Sequence, residues 1–333
     1  MVPEHAEFDK GREYHPRVSD DDYVAVATYF IGNSACPEVR FERVTDSEVS
    51  MKGWLREELS VGRNIILDDD TCTYPFSPIV GFEIRECDGG IVVRTQNHRY
   101  WVDLLDPVVV ARLRSLKYLK FGFLGFDEII PDGFCDAGRD AVYKTDERFG
   151  PMKLVPPDPR REIIVVDANS DQGLNDRLDG ARTILEGVSD EVARIKILAL
   201  FVAGSYGGNR FDRRGKSLLR LCAEDIEFKK RPDGTLPIGT LDVGVCRHRA
   251  IVFKYLADRL GIKARLIRGN HGGGSGHAWN VVMIDEKYYI VDVSLYPGEL
   301  IEINPDDQGE VVYYQRLAND NMRGGPGGHS IAY

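Results

Sequence analysis

Between Gly244 and Leu300 the chain reads GVCRHRAIVFKYLADRLGIKARLIRGNHGGGSGHAWNVVMIDEKYYIVDVSLYPGEL, one helix-period stretch followed by strand-period stretches. From Cys246 onward, Ala250, Phe253, Leu256, Ala257 and Leu260 recur at helical spacing. Arg247, Lys254 and Asp258 fall on the opposite side, and Gly261 supplies the stop. HAWNVVMID and KYYIVDV alternate as two strands joined at Asp285-Glu286. A helix followed by a hairpin, with a mixed segment upstream, makes the fold class α+β.

The same stretch carries chemistry. Cys246 opens the helix, where unpaired backbone N–H groups and the positive dipole end favour a thiolate. Gly244 is expected to let a substrate chain approach the sulfur. If Asp285-Glu286 is a two-residue loop, Ile284 faces Lys287 and His277 lies diagonally beside Asp292 on one face. A slip of two residues puts them directly opposite, and a slip of one separates their faces. In either even register Asp292 can hold the imidazole tautomer and leave the other nitrogen for the thiol proton. Trp279, on the same face, can shield that pair from water. Asn209 is the nearest upstream amide able to assist an oxyanion beside the Cys246 N–H. Cys-x-His does not make a metal site, because residues two apart on a helix point about 200° apart, so no metal or cofactor is expected. His248 is expected to hydrogen-bond within the domain, and Arg247 and Arg249 to pair with carboxylates at the surface. The loop GNHGGGSG runs into a strand rather than a Lys-Ser/Thr helix, so it is no phosphate cradle.

Upstream, Val80, Phe82 and Ile84 alternate on one strand face before Asp88-Gly89-Gly90 turns the chain into GIVVRT. Asp106-Pro107 starts a helix with Val109, Leu113, Leu116 and Leu119 on its apolar stripe. Arg112, Arg114, Lys117 and Lys120 are expected on a solvated face. The prolines of PMKLVPPDPRR (151–161) read as a linker, since proline resists ladders and helix interiors. The expected organisation is an amino-terminal α+β domain over 1–155, a second domain over 162–318 and a glycine-rich tail over 319–333. In the second domain EIIVVDA reads as a buried strand. Helices span about 175–186 and 189–206, the latter capped by Ser189-Asp190 and ended by Gly207-Gly208, and a polar irregular stretch runs through Lys230.

A net charge of −10 over 333 residues disfavours nucleic acid and anionic membranes as partners. No apolar run approaches the roughly 18 residues of a membrane span. Six cysteines without paired spacing and a polar, acidic start that is neither signal nor transit peptide point to a reduced, cytoplasmic protein.

GVCRHRAIVFKYLADRLGI, RLIRG, HAWNVV, YIVDV and PGEL, with LPIGTLDVG upstream, resemble the peptidase-like domain found in plant Raf-like kinases of ethylene and disease-resistance signalling and in animal armadillo-repeat proteins. The resemblance covers approximately residues 175 to 303. It implies the transglutaminase-like, papain-related fold, in which a cysteine begins a core helix packed on an antiparallel sheet bearing histidine and aspartate. Those roles map onto Cys246, His277 and Asp292. The implied activity is cysteine-dependent acyl transfer on protein or peptide amides, as peptidase, deamidase or transglutaminase. The alternative is a catalytically silent module that binds a peptide or partner domain in the same cleft.

Overall fold

A computed structural model describes residues 18–32, 38–43, 46–55, 63–68, 73–85, 90–104, 106–138, 140–146, 150–158, 160–208, 217–271 and 275–303. In chain order these form α1 (Asp20–Gly32), β1 (Glu38–Arg43), β2 (Asp46–Leu55), β3 (Asn64–Asp68), β4 (Thr73–Arg85), β5 (Gly90–Thr95), β6 (Arg99–Leu104), α2 (Pro107–Phe121), β7 (Phe123–Leu124), β8 (Phe134–Asp136), β9 (Val142–Asp146), β10 (Gly150–Val155) and β11 (Ile163–Val166). Then come α3 (Gln172–Leu185), α4 (Glu191–Ser205), α5 (Leu218–Lys229), β12 (Thr235–Pro237), a 3-10 turn (Ile238–Thr240), α6 (Cys246–Arg259), β13 (Ala264–His271), β14 (Ser275–Ile284), β15 (Lys287–Val291) and β16 (Ile301–Glu302). The class is mixed α+β with antiparallel sheets.

The chain divides into two compact units, and the division is not a single cut. Pro16–Phe121 and Pro131–Asp167 make one unit, whereas Gly122–Ile130 belongs with the carboxy-terminal residues from Ala168. In the first, β1 to β6 close into a barrel, with β1 pairing both β2 and β6. The β4–β5 hairpin forms as expected. Val80, however, is exposed rather than on a buried face with Phe82, because the ladder shifts register between Ile79 and Gly81. Asp106 caps α2 through the N–H groups of Val108 (2.8 Å) and Val109 (3.3 Å). Its Lys117 and Lys120 are buried, not solvated. α1 packs against α2, and the Lys120 ammonium donates to Val18 O (2.9 Å) with the Tyr23 and Phe121 rings beside it. Of the proline cluster, Pro151 lies within the ladder, while Pro156 and Pro157 follow the strand outside it. β10 pairs antiparallel with β9, accommodating Pro151 at a register shift between Gly150 and Lys153. Residues 319–333 lie outside the described residues.

The carboxy-terminal unit holds a five-stranded antiparallel sheet in the order β16-β15-β14-β13-β7, with α6 against β13 and β14. Asp171 caps α3 and Asp190 caps α4, while Gly207 and Gly208 carry the positive φ angles that end α4. The stretch expected to be irregular before Lys230 contains α5, capped by Ser217 through the Arg220 N–H (3.3 Å). Helix α6 is buried continuously from Arg247 to Ala257, so the side expected to face water does not. α4, β13 and β14 pack against the helix, and Ile130 closes its carboxy-terminal end. Ile130 N–H donates to Asp258 Oδ2 (2.8 Å), and the Arg259 guanidinium donates to Ile130 O (3.1 Å). Lys254 and Asp258 form a buried ion pair (2.5 Å), a combination that removal from water requires to be matched. β7 meanwhile adds the edge strand beside β13, pairing Leu124 with Leu266 and Phe123 with Ile267.

Candidate active site

The loop that delivers Cys246 is fastened before it reaches the helix. Asp171 Oδ2 accepts from Gly239 N–H (2.6 Å), and the Arg177 guanidinium donates to Gly239 O and Leu241 O. Tyr206 Oη donates to Ile238 O (3.0 Å), with Arg177 lying 4.8 Å from its ring centroid. Gly244 is buried against this assembly, where an added Cβ would meet Tyr206 Cδ1 at 2.5 Å. Packing against Tyr206 therefore requires glycine at this position. Val245 then caps α6 without a side-chain bond. Its N–H donates to His248 Nδ1 (3.2 Å), so His248 closes the helix start.

The hairpin takes the two-residue register. Asp285 and Glu286 occupy positive φ (48° and 63°), and Ile284 faces Lys287. This places His277 Nε2 2.7 Å from Asp292 Oδ2, both side chains buried. Asp292 Oδ1 accepts from Ser294 N–H (2.8 Å) and Leu295 N–H (3.0 Å), which holds the carboxylate from the opposite edge. Trp279 is buried and stacks on His277, with centroids 5.9 Å apart and planes 20° apart. Asn280 anchors the helix above this strand, its Nδ2 donating to Ala250 O and Arg265 O (3.1 Å each).

Helix and hairpin bring Cys246 to His277. The thiol is hydrogen-bonded to the imidazole and to the Ala278 backbone N–H. Burial pushes that thiol up, but the His277 hydrogen bond and charge, with the Ala278 amide, outweigh it and the thiol titrates below its ordinary value. Burial likewise opposes a charged His277. Its bonds to Asp292 and Cys246 and their charges prevail and raise it to about 10. Asp292 is held below the usual carboxylate range, since the His277 bond and charge and the two amides exceed the cost of burial. These directions favour a thiolate–imidazolium pair near pH 7, with Nε2 committed to Asp292 and Nδ1 left for the sulfur.

The EDR1/CTR1/ARMC3 peptidase-like family matches residues 110–301, more than half of the chain. The chain belongs to this family. Among proteins it resembles is the probable serine/threonine-protein kinase SIS8 of Arabidopsis thaliana, 30% identical over 208 residues, covering 57% of this chain and 20% of the relative. Armadillo repeat-containing protein 3 of Homo sapiens is 31% identical over 124 residues, covering 33% of this chain and 14% of the relative. The serine/threonine-protein kinase CTR1 of Arabidopsis thaliana is 29% identical over 149 residues, covering 44% and 18%. The chain thus spans a fifth or less of each of these relatives.

Of the residues expected at the site, Cys246, His277, Asp292 and Trp279 come together, while Asn209 lies outside the described residues. Sequence reasoning missed the Ala278 amide, a backbone donor with no residue-type signal. It also missed Arg249, expected at the surface and found fully buried. Gly269 was not singled out either, although it sits opposite His277 in the ladder, where an added Cβ would meet Trp279 Cη2 at 2.6 Å. Gly269→Ala should therefore cost about 1–3 kcal/mol of stability by overpacking against a buried indole. Thermal unfolding checks this, and an unchanged melting temperature would mean that the ring yields freely.

Proposed function

We propose that this chain is a cysteine acyl-transfer enzyme acting on protein or peptide amides, built on the transglutaminase-like, papain-related arrangement of a cysteine helix against an antiparallel sheet. The observation that carries the reading is the Cys246–His277–Asp292 chain of hydrogen bonds, a half-buried thiol on a buried imidazole–carboxylate pair, with the thiol shifted down and the imidazole up. The Cys246 thiolate attacks the amide carbonyl carbon, and the carbonyl π pair moves to oxygen, facing the Cys246 N–H at the helix start. Collapse of this adduct breaks the C–N bond as imidazolium His277 gives its proton to the departing nitrogen. A thioester remains. Water or an amine then loses a proton to His277 as it attacks, releasing acid or new amide and restoring the thiolate–imidazolium pair. Asp292 keeps Nδ1 aimed at sulfur throughout.

A second reading has its own support. The three relatives are kinases or an armadillo-repeat protein by name, each carrying the matched stretch within a much longer chain, a setting that suits a regulatory module binding a peptide or partner. Thiol reactivity separates the two. Iodoacetamide should modify Cys246 below pH 7 faster than any other cysteine, and Cys246→Ala should remove that labelling while the protein still folds. If Cys246 labels no faster than Cys222, the enzyme reading is wrong. Acyl transfer should also decline as pH rises through about 10, where His277 loses the proton that the leaving nitrogen needs.

A further inference from the structure

Arg249 lies three residues after Cys246 on α6 and is fully buried. A buried guanidinium is costly unless its donors are matched, and this one is matched by backbone carbonyls from separate chain segments. Nε donates to Gly244 O (2.7 Å), and Nη2 donates to Tyr206 O (2.9 Å) and Gly208 O (2.6 Å). Nη1 makes a longer bond to Val293 O (3.5 Å), the residue after Asp292. One planar fork therefore joins three features. These are the loop two residues before the sulfur, the chain leaving α4, and the chain leaving the aspartate.

We propose that Arg249 is a positioning residue of this site, fixing the Cys246 loop relative to His277 and Asp292 from behind. The proposal rests on the cysteine-nucleophile reading and goes beyond it, because Arg249 reaches neither the sulfur nor the imidazole in the bonds described above. Its fork geometry matters as much as its charge. A lysine ammonium is a point donor and cannot span Gly244 O, Tyr206 O and Gly208 O together. When the fork is lost, the loop is released at Gly244, and the thiol leaves the line set by Nδ1 and the Ala278 amide. Misplacement by about 1 Å costs on the order of a hundredfold in reactions of this kind.

The test is the pH profile of Cys246 alkylation by iodoacetamide in the full chain, read by peptide mass, for wild type, Arg249→Lys and Arg249→Met. In the wild type, labelling should persist below pH 7. In Arg249→Met the profile should move toward that of an ordinary thiol, with the rate at pH 6.5 lower by roughly 10- to 100-fold. Arg249→Lys should recover only part of the loss. A residue that merely supports folding would lower the melting temperature and leave this profile unmoved, and such a result overturns the proposal. Gly244→Ala provides an independent perturbation if Arg249→Met does not fold. Its Cβ displaces the same loop from Tyr206, so the same direction of shift is expected with the guanidinium intact. Combined with Arg249→Lys, it should add little to the slower single variant, because both act through Gly244. Wild-type profiles in both Arg249→Lys and Gly244→Ala overturn the proposal. A wild type whose Cys246 labels no faster than Cys222 overturns the nucleophile reading itself, and the positioning role with it.

Discussion

Replacing Asp292 by asparagine should slow alkylation of Cys246 at pH 6.5 by on the order of 10³-fold, equivalent to about 4 kcal/mol of lost activation. The sign follows from which oxygen does what. Oδ1 accepts two backbone N–H groups, from Ser294 and Leu295, so a carboxamide must place its oxygen there. Its NH₂ then occupies the Oδ2 position facing His277 Nε2. A donor against Nε2 forces the ring proton onto Nδ1, the nitrogen that should receive the thiol proton. The ring also loses the charge partner that holds it protonated up to about 10, and Cys246 loses the imidazolium that brings its own titration down. The labelling rate of folded Asp292→Asn against pH checks this, with circular dichroism confirming the fold. Wild-type labelling at pH 6.5 would remove Asp292 from the mechanism.

A fragment beginning at Arg161 should lack a cooperative unfolding transition, although it retains Cys246, His277 and Asp292. It omits Gly122–Ile130, which belongs to the same unit as the triad. Leu124 and Ile130 are fully buried, and the aromatic ring of Phe126 stacks on Tyr288 at 5.8 Å. Burial of each aliphatic side chain contributes about 1.5–3 kcal/mol. The loss also exposes the edge of β13 and takes Ile130 N–H from Asp258, which burial already pushes up. A sum of roughly 5 kcal/mol or more rivals the 5–15 kcal/mol that holds an ordinary domain together. Urea unfolding followed by tryptophan fluorescence reads the outcome cleanly, because Trp279 is the fragment's single tryptophan. A sharp transition would show that the edge strand is dispensable.

Local chemistry made much of the site legible in the sequence. Glycine at 261, apolar spacing from Ala250 to Leu260 and a two-residue turn at 285–286 are short-range signals, and each led to the element observed. Period-two alternation then required His277 and Asp292 to share a face. That inference needed no knowledge of the rest of the chain. Where the amphipathic reading failed, the missing information lay far away. Arg247, Lys254 and Asp258 look like a polar face on α6, and Lys117 and Lys120 like one on α2, because a helix period reports which residues differ, not what covers them. Ile130, 128 residues before Asp258, bonds one residue of that α6 face while α4 and the sheet pack on the helix, and α1 packs against α2, where Val18 O takes the Lys120 ammonium.

Pro151 failed differently. Proline lacks a donor, yet a ladder can carry it where a bulge interrupts the pairing, and bulges are set by both strands together. The sequence by itself determined the order and spacing of a thiol, an imidazole and a carboxylate, because helix and strand periods are local properties of the backbone. Only the tertiary structure decided that Arg249 holds the thiol's loop and that a segment from 122 to 130 completes the unit. Most of those bonds join a side chain to backbone carbonyls far away in the chain, and such bonds leave no periodic trace.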